Sequence, residues 1–135
     1  MHPDINITRA PSFARIAQSL LLAGGLAGSA LVFAHHGWSE YDSNRELKLT
    51  GIIKASGYEH PHGHIQLEVA ASPGTPGKTW QAVLAPPSRM EARGLSQAML
   101  KSGNTATVVG YPSRSKPEEL RAERITIDGK TVELR

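Results

Sequence analysis

Five histidines in two short clusters, His35-His36 and His60-Pro61-His62-Gly63-His64, are the residues of this chain best suited to chemistry. Neutral imidazole is the commonest side-chain ligand for zinc, copper and nickel. The first cluster follows Ala34, the small residue that ends an apolar stretch, so removal of residues 1–34 would give His35 a free α-amine. An amine and an imidazole on one residue can chelate a metal through the main-chain nitrogen and Nδ1. In the second cluster, Pro61 steers His60 away from helical backbone and Gly63 permits a tight turn. Held extended, His60, His62 and His64 would project from one face of a strand about 6–7 Å apart. Folded tightly, two of the three would converge. The expected metal ligands are His35, through its amine and side chain, with His62 and His64; His36 and His60 are alternates. Nitrogen-only donors and a terminal amine favour Cu(II), with zinc also accommodated. Plainer readings stand beside these: a frayed terminus for the first cluster and an exposed, titrating turn for the second.

Everything before His35 reads as an export signal. Arg9 and Arg15 lie in a polar lead, Leu20 to Leu31 form an apolar core, and Val32-Phe33-Ala34 precedes the cut. The segment from Leu20 to Ala34 has 15 residues, including Gly24, Gly25, Gly28 and Ser29. A bilayer span needs about 20 apolar residues, so a cleaved leader is expected and no stable membrane anchor after cleavage. A cut after Ala30 would deprive His35 of its amine. The expected location is the periplasm or the medium.

Composition narrows the function classes. Without Arg9, Arg15 and Asp4 of the leader, the formal charge falls from +3 to about +2, with the signs interleaved, so no electrostatic case for nucleic acid exists. The chain has no cysteine, hence no disulfide, thiolate site or cysteine nucleophile. Met90 and Met99 fall in predicted helices and suit core packing better than Cu(I) binding. Glu59, Glu40 and Asp42 read as solvated charges before ligands. Arg114, Lys116, Arg121 and Arg124 interleave with Glu118, Glu119 and Glu123, which predicts a solvated, paired face. No Ser-His-Asp order, nucleotide loop or carboxylate pair stands out, and no enzyme is expected.

The elements that must position the histidines follow from periodicity. Residues 46–58 alternate as a long first strand, with Gly51 and Gly57 marking bulges or sharp bends. Ile65, Leu67 and Val69 mark a second strand, and Trp80, Ala82 and Leu84 a third. Ser88-x-x-Glu91 has the form of a helix capping box, and Ser96 can cap a further turn through Met99 and Leu100. Strands are predicted over 105–111, 120–127 and 130–134, the last two joined by the turn signal Asp128-Gly129. Three strands, a short helical insert and two or three strands give the order of a small OB-like barrel, all-β, of five or six strands. A six-stranded sandwich is the rival. The expected division is a signal peptide over 1–34, a metal-binding arm over 35–45 and the barrel over 46–135.

His35-His36-Gly37-Trp38, Leu49-Thr50-Gly51-Ile52-Ile53, Tyr58-Glu59-His60-Pro61-His62 and the segment from Ala85 to Leu95 together resemble a family of short exported bacterial proteins of unknown function. The likeness covers essentially all of 35–135. It implies an exported small domain and supplies no activity. Where the family pattern suggests an NPH-like sequence this chain has EHPH, which makes His62 the more dependable carry-over. A terminal histidine also resembles the histidine brace of copper carriers and polysaccharide monooxygenases, a likeness of one residue and not of the fold. The functional expectation is a periplasmic Cu(II) carrier, buffer or resistance component, its partners the metal ion and another periplasmic protein. The alternative is an exported interaction module that binds a protein, glycan or small ligand, its histidines incidental.

Overall fold

The computed structural model describes residues 36–135; residues 1–34, expected as a signal peptide, and His35 lie outside the described residues, and of His36 only the backbone lies within them. One helical turn, α1 (His36–Ser39), precedes β1 (Leu47–Gly57), β2 (His64–Val69) and β3 (Lys78–Val83). Then come α2 (Pro87–Ala92), a 3-10 turn (Gln97–Leu100), β4 (Thr105–Pro112), β5 (Glu119–Ile127) and β6 (Lys130–Glu133).

Alternation of apolar residues decides which face of each strand turns inward. Ile53, Ile65, Leu67, Ala82, Leu84, Ala106, Val108, Leu120, Ala122, Ile125 and Ile127 form one buried cluster. β1 pairs antiparallel with β2 on one side and with β4 on the other. β2 pairs with β3, and β4 with β5. The barrel closes where Gln81, Ala82 and Val83 of β3 run parallel to Glu119, Leu120 and Arg121 of β5. This five-stranded circuit is the expected OB-type arrangement, with β6 added on β5. Between β3 and β4, the helical insert supplies Met90, Leu95 and Leu100, all fully buried in the same core.

Two local expectations give way to other physics. The capping box does not form: Pro86 is the N-cap of α2, no side-chain cap bond is made, and Ser88 lies inside the helix. Pro87 begins the helix because its fixed φ suits the first turn and its missing N–H costs nothing there. The irregularity in β1 falls between Ile53 and Ala55 and not at Gly51. Gly51 answers a different need, since a Cβ there would strike the Glu68 carbonyl of the neighbouring strand. The Asp128-Gly129 hairpin is as expected, with φ of 51° and 75° at its two residues.

Leu67 is completely buried in the middle of β2. Leu67→Ala is expected to lower the unfolding free energy by about 2–5 kcal/mol, whereas Ile52→Ala, on the exposed face, should change it by no more than about 0.5 kcal/mol. Urea denaturation of both variants checks the assignment of the inward face.

Candidate functional site

The segment from His60 to Gly63 is a turn and not an extended strand. β2 begins only at His64, and the His60–Pro61 peptide is cis. Gly63 is anchored on both sides of its peptide: its N–H donates to the Ala85 carbonyl at 2.9 Å, and its carbonyl accepts from Leu84 N at 2.7 Å. Those bonds hold the turn against the end of β3 and orient the three histidines differently. His60 is exposed. His64 is half-buried, with Nδ1 3.6 Å from Glu59 Oε1. His62 points to Arg121, whose Nη2 lies 2.9 Å from His62 Nε2. Among the described residues, no group of three or more His, Asp or Glu side chains is gathered as a metal would need. His35, the first expected ligand, lies outside the described residues, and His36 enters only by its backbone at the start of α1.

What the fold does gather is a cluster around Arg121. The sequence pattern assigns this arginine to a solvated, ion-paired face; instead it is only 8% exposed. Its neighbours Leu120 and Ala122 are core residues, so strand alternation turns Arg121 to the outside of the barrel. It is buried because the arm before β1 covers that spot. Trp38 lies over the guanidinium, whose carbon is 5.0 Å from the ring centroid. Tyr41, itself 6% exposed, is tied to the barrel through its bridge to Ser113 and donates its hydroxyl to Glu119 Oε1 at 2.9 Å. The same tyrosine oxygen stabilises the Arg121 charge, opposing the effect of burial on that group. A second cation, Arg135, sits 4.7 Å from the Trp38 centroid. Tyr111 meets Trp38 edge-on at 6.3 Å. A cavity of about 30 Å³ opens between Trp38, Tyr41, Ser43, Tyr111 and Arg135, room for about one water.

The electrostatics of this end are unbalanced. Among the described residues, no carboxylate lies within ion-pair distance of Arg121. Glu119 is engaged by Tyr41 and Lys116, and Glu123 by Tyr111, Arg124 and Arg135. Arg89 of α2 adds a further positive charge that both Arg121 and His62 experience. An arginine can only donate, so His62 Nε2 accepts and the neutral ring carries its proton on Nδ1. Burial, then Arg121 and Arg89, holds the His62 pKa below its usual value. Tyr41 is pushed up to about 12 by burial and by its bond to Glu119, so it remains a neutral donor.

The structure thus defines a small OB-type barrel with one arm-covered end that concentrates arginine and aromatic side chains beside a neutral histidine. The chain belongs to a family of unknown function, DUF6152, whose model matches residues 24–120. No curated protein matches the chain. Among solved structures it is similar to a chain of a TiaS–tRNA–ATP complex, with 22% identity and a TM-score of 0.39. That match covers 70% of this chain and 20% of the other, so the present chain spans about a fifth of that protein's length. A likeness at that level says nothing of activity.

Sequence reasoning singled out His62 and missed its partner. Charge interleaving along β5 looks the same whether Arg121 is solvated or covered. The one available signal was Trp38 and Tyr41 standing in an otherwise polar connector, aromatic side chains that need something to lie on.

Because the folded pKa of His62 is lowered, the unfolded chain takes up that proton at higher pH than the folded protein. The His62 contribution to stability is therefore complete above about pH 6.5 and is lost as pH falls through the folded value. Urea unfolding between about pH 7.5 and 5 should show stability declining with acidification. His62→Gln, which keeps an acceptor but does not titrate, should show a smaller decline; equal slopes would remove His62 as the cause.

Proposed function

We propose that the protein is an exported binding domain that takes an anionic small ligand, a carboxylate or similar oxyanion, at the Arg121 end of the barrel. The observation that supports it most is the buried guanidinium of Arg121, covered by aromatic and neutral groups and, among the described residues, without a carboxylate within ion-pair distance. A buried charge without a counterion is expensive, and arginine presents its N–H groups in a fork that fits a carboxylate. His62 is a neutral acceptor on that fork. An oxyanion would bring the opposite charge and can meet the fork through two oxygens, whereas the ring accepts through Nε2 alone, so it would displace the ring from Nη2. Arg89 and Arg135 are exposed and add attraction along the approach. Export is supported by the composition of residues 1–34, and binding alone requires no catalytic base.

A specific observation also favours a second reading, Cu(II) or Zn(II) held by the His35–His36 terminus. Trp38, seated on Arg121 and Arg135, fixes the chain three residues beyond His35. Burial, more than the neighbouring Arg121 and Arg89, also keeps His62 in the uncharged form that a metal requires. In that reading His36, His62 and His64 are accessory ligands. A metal on His62 Nε2 would have to dislodge Arg121, which sets the two readings against each other at one nitrogen.

Titration with acetate, phosphate and citrate, followed by tryptophan fluorescence and thermal unfolding, separates them. At least one of these anions is expected to raise the unfolding temperature and perturb Trp38, and Arg121→Gln should abolish both effects. No response to any of the three at about 10 mM would overturn the anion reading.

The metal reading is tested on protein whose first residue is shown by intact mass to be His35. Calorimetry should give one-to-one Cu(II) binding that one added N-terminal residue weakens roughly tenfold or more. Binding unaffected by the extension would detach the metal from the terminus.

A further inference from the structure

Across the outer face of β1, β4, β5 and β6, four threonines stand in one register row. Thr50 pairs with Thr107, Thr107 with Thr126, and Thr126 with Thr131. The sheet spaces them about 4.8 Å apart. Their hydroxyls are coupled in twos: Thr50 to Thr107 at 2.8 Å and Thr126 to Thr131 at 2.7 Å. Each coupled pair shares a single hydrogen, which leaves one O–H per pair to donate outward and lone pairs on every oxygen to accept.

The adjacent row on the same face is Lys48, Val109 and Arg124. This row and three of the four threonines, Thr107, Thr126 and Thr131, line an open cleft of about 320 Å³ that Glu46 also borders. That size lies within the range of small-molecule sites. Val109, only 7% exposed, makes an apolar floor. Arg124 and Glu46, 3.9 Å apart, put a guanidinium and a carboxylate on the rim.

We propose that this cleft binds a saccharide. The chemistry of its walls selects the occupant. A row of hydroxyls that donate and accept matches a ligand that is itself a row of hydroxyls. The small exposed part of Val109 offers one apolar contact to a C–H of a sugar ring, and an arginine–carboxylate pair can hydrogen-bond neighbouring hydroxyls from both sides. Lys48 and Arg124 against Glu46 leave a single net positive charge on the lining, too little to select a polyanion. No aromatic anchor of the kind that dominates protein interfaces lines the cleft. The site is separate from the Arg121 end, and either can fail without the other.

The test is binding of the full-length protein, amine-labelled, to an array of immobilised neutral and acidic oligosaccharides, repeated with the double variant Thr126→Val/Thr131→Val. Valine keeps the shape and the strand preference of threonine, and circular dichroism confirms that the variant is folded. The expected result is binding to at least one saccharide, weakened roughly tenfold or more in the double variant, since two hydrogen-bonding groups are lost, and unchanged in Arg121→Gln. A second variant, Thr107→Val, should weaken the same saccharide. Binding that survives all three threonine substitutions, or no saccharide bound more tightly than about 1 mM, overturns the proposal.

Discussion

Closure of the barrel depends on a short parallel seam in which Gln81, Ala82 and Val83 meet Glu119, Leu120 and Arg121. Everything else in the sheet is antiparallel and joins strands that are near neighbours by short connections or through the first strand. The seam alone completes the circle, and it does so with residues whose alternate side chains have opposite destinations. Leu120 enters the core, and Arg121 is left on the outside at a place where another segment must cover it. The arm with Trp38 and Tyr41 and the His62 turn meet over that one side chain, and Arg135, just past β6, reaches the same Trp38 ring. Geometry imposed by closing a sheet therefore fixes where the unusual chemistry of the molecule lies.

Much of the architecture was legible because it rests on periodicity. The alternations around Ile65, Leu67 and Ile125 mark inward faces wherever the strand happens to pair, and the Asp128-Gly129 turn needs only two residues to declare itself. Ser88 and Glu91 misled because a capping box competes with proline for the start of a helix, and Pro87 holds that position more rigidly. Gly51 misled differently. A glycine in a strand records that backbone comes close, without saying whether the cause is a bulge or a crossing neighbour.

The candidate site was half legible. Histidine clusters are visible in any sequence, yet their convergence depends on where a strand begins, and here β2 starts only at the last histidine. The burial of Arg121 depends on the path of an arm some eighty residues earlier in the chain, which no local pattern encodes. Exposure of a charged residue is a property of the whole fold, whereas its identity is local. That difference explains why the histidines were noticed and the arginine between them and the arm was not.

The contact of both Arg121 and Arg135 with the single ring of Trp38 gives the molecule a buckle. One indole fastens the chain near residue 38 to the chain at residue 135, with the whole barrel threaded between them. Opening at either place then removes one contact from the other, while Arg135 keeps its bond to Glu123 and Trp38 its contacts with Arg121 and Tyr111. Segments far apart in sequence thus share one ring, and the least sequence-regular part of the protein is tied to the sheet beneath it.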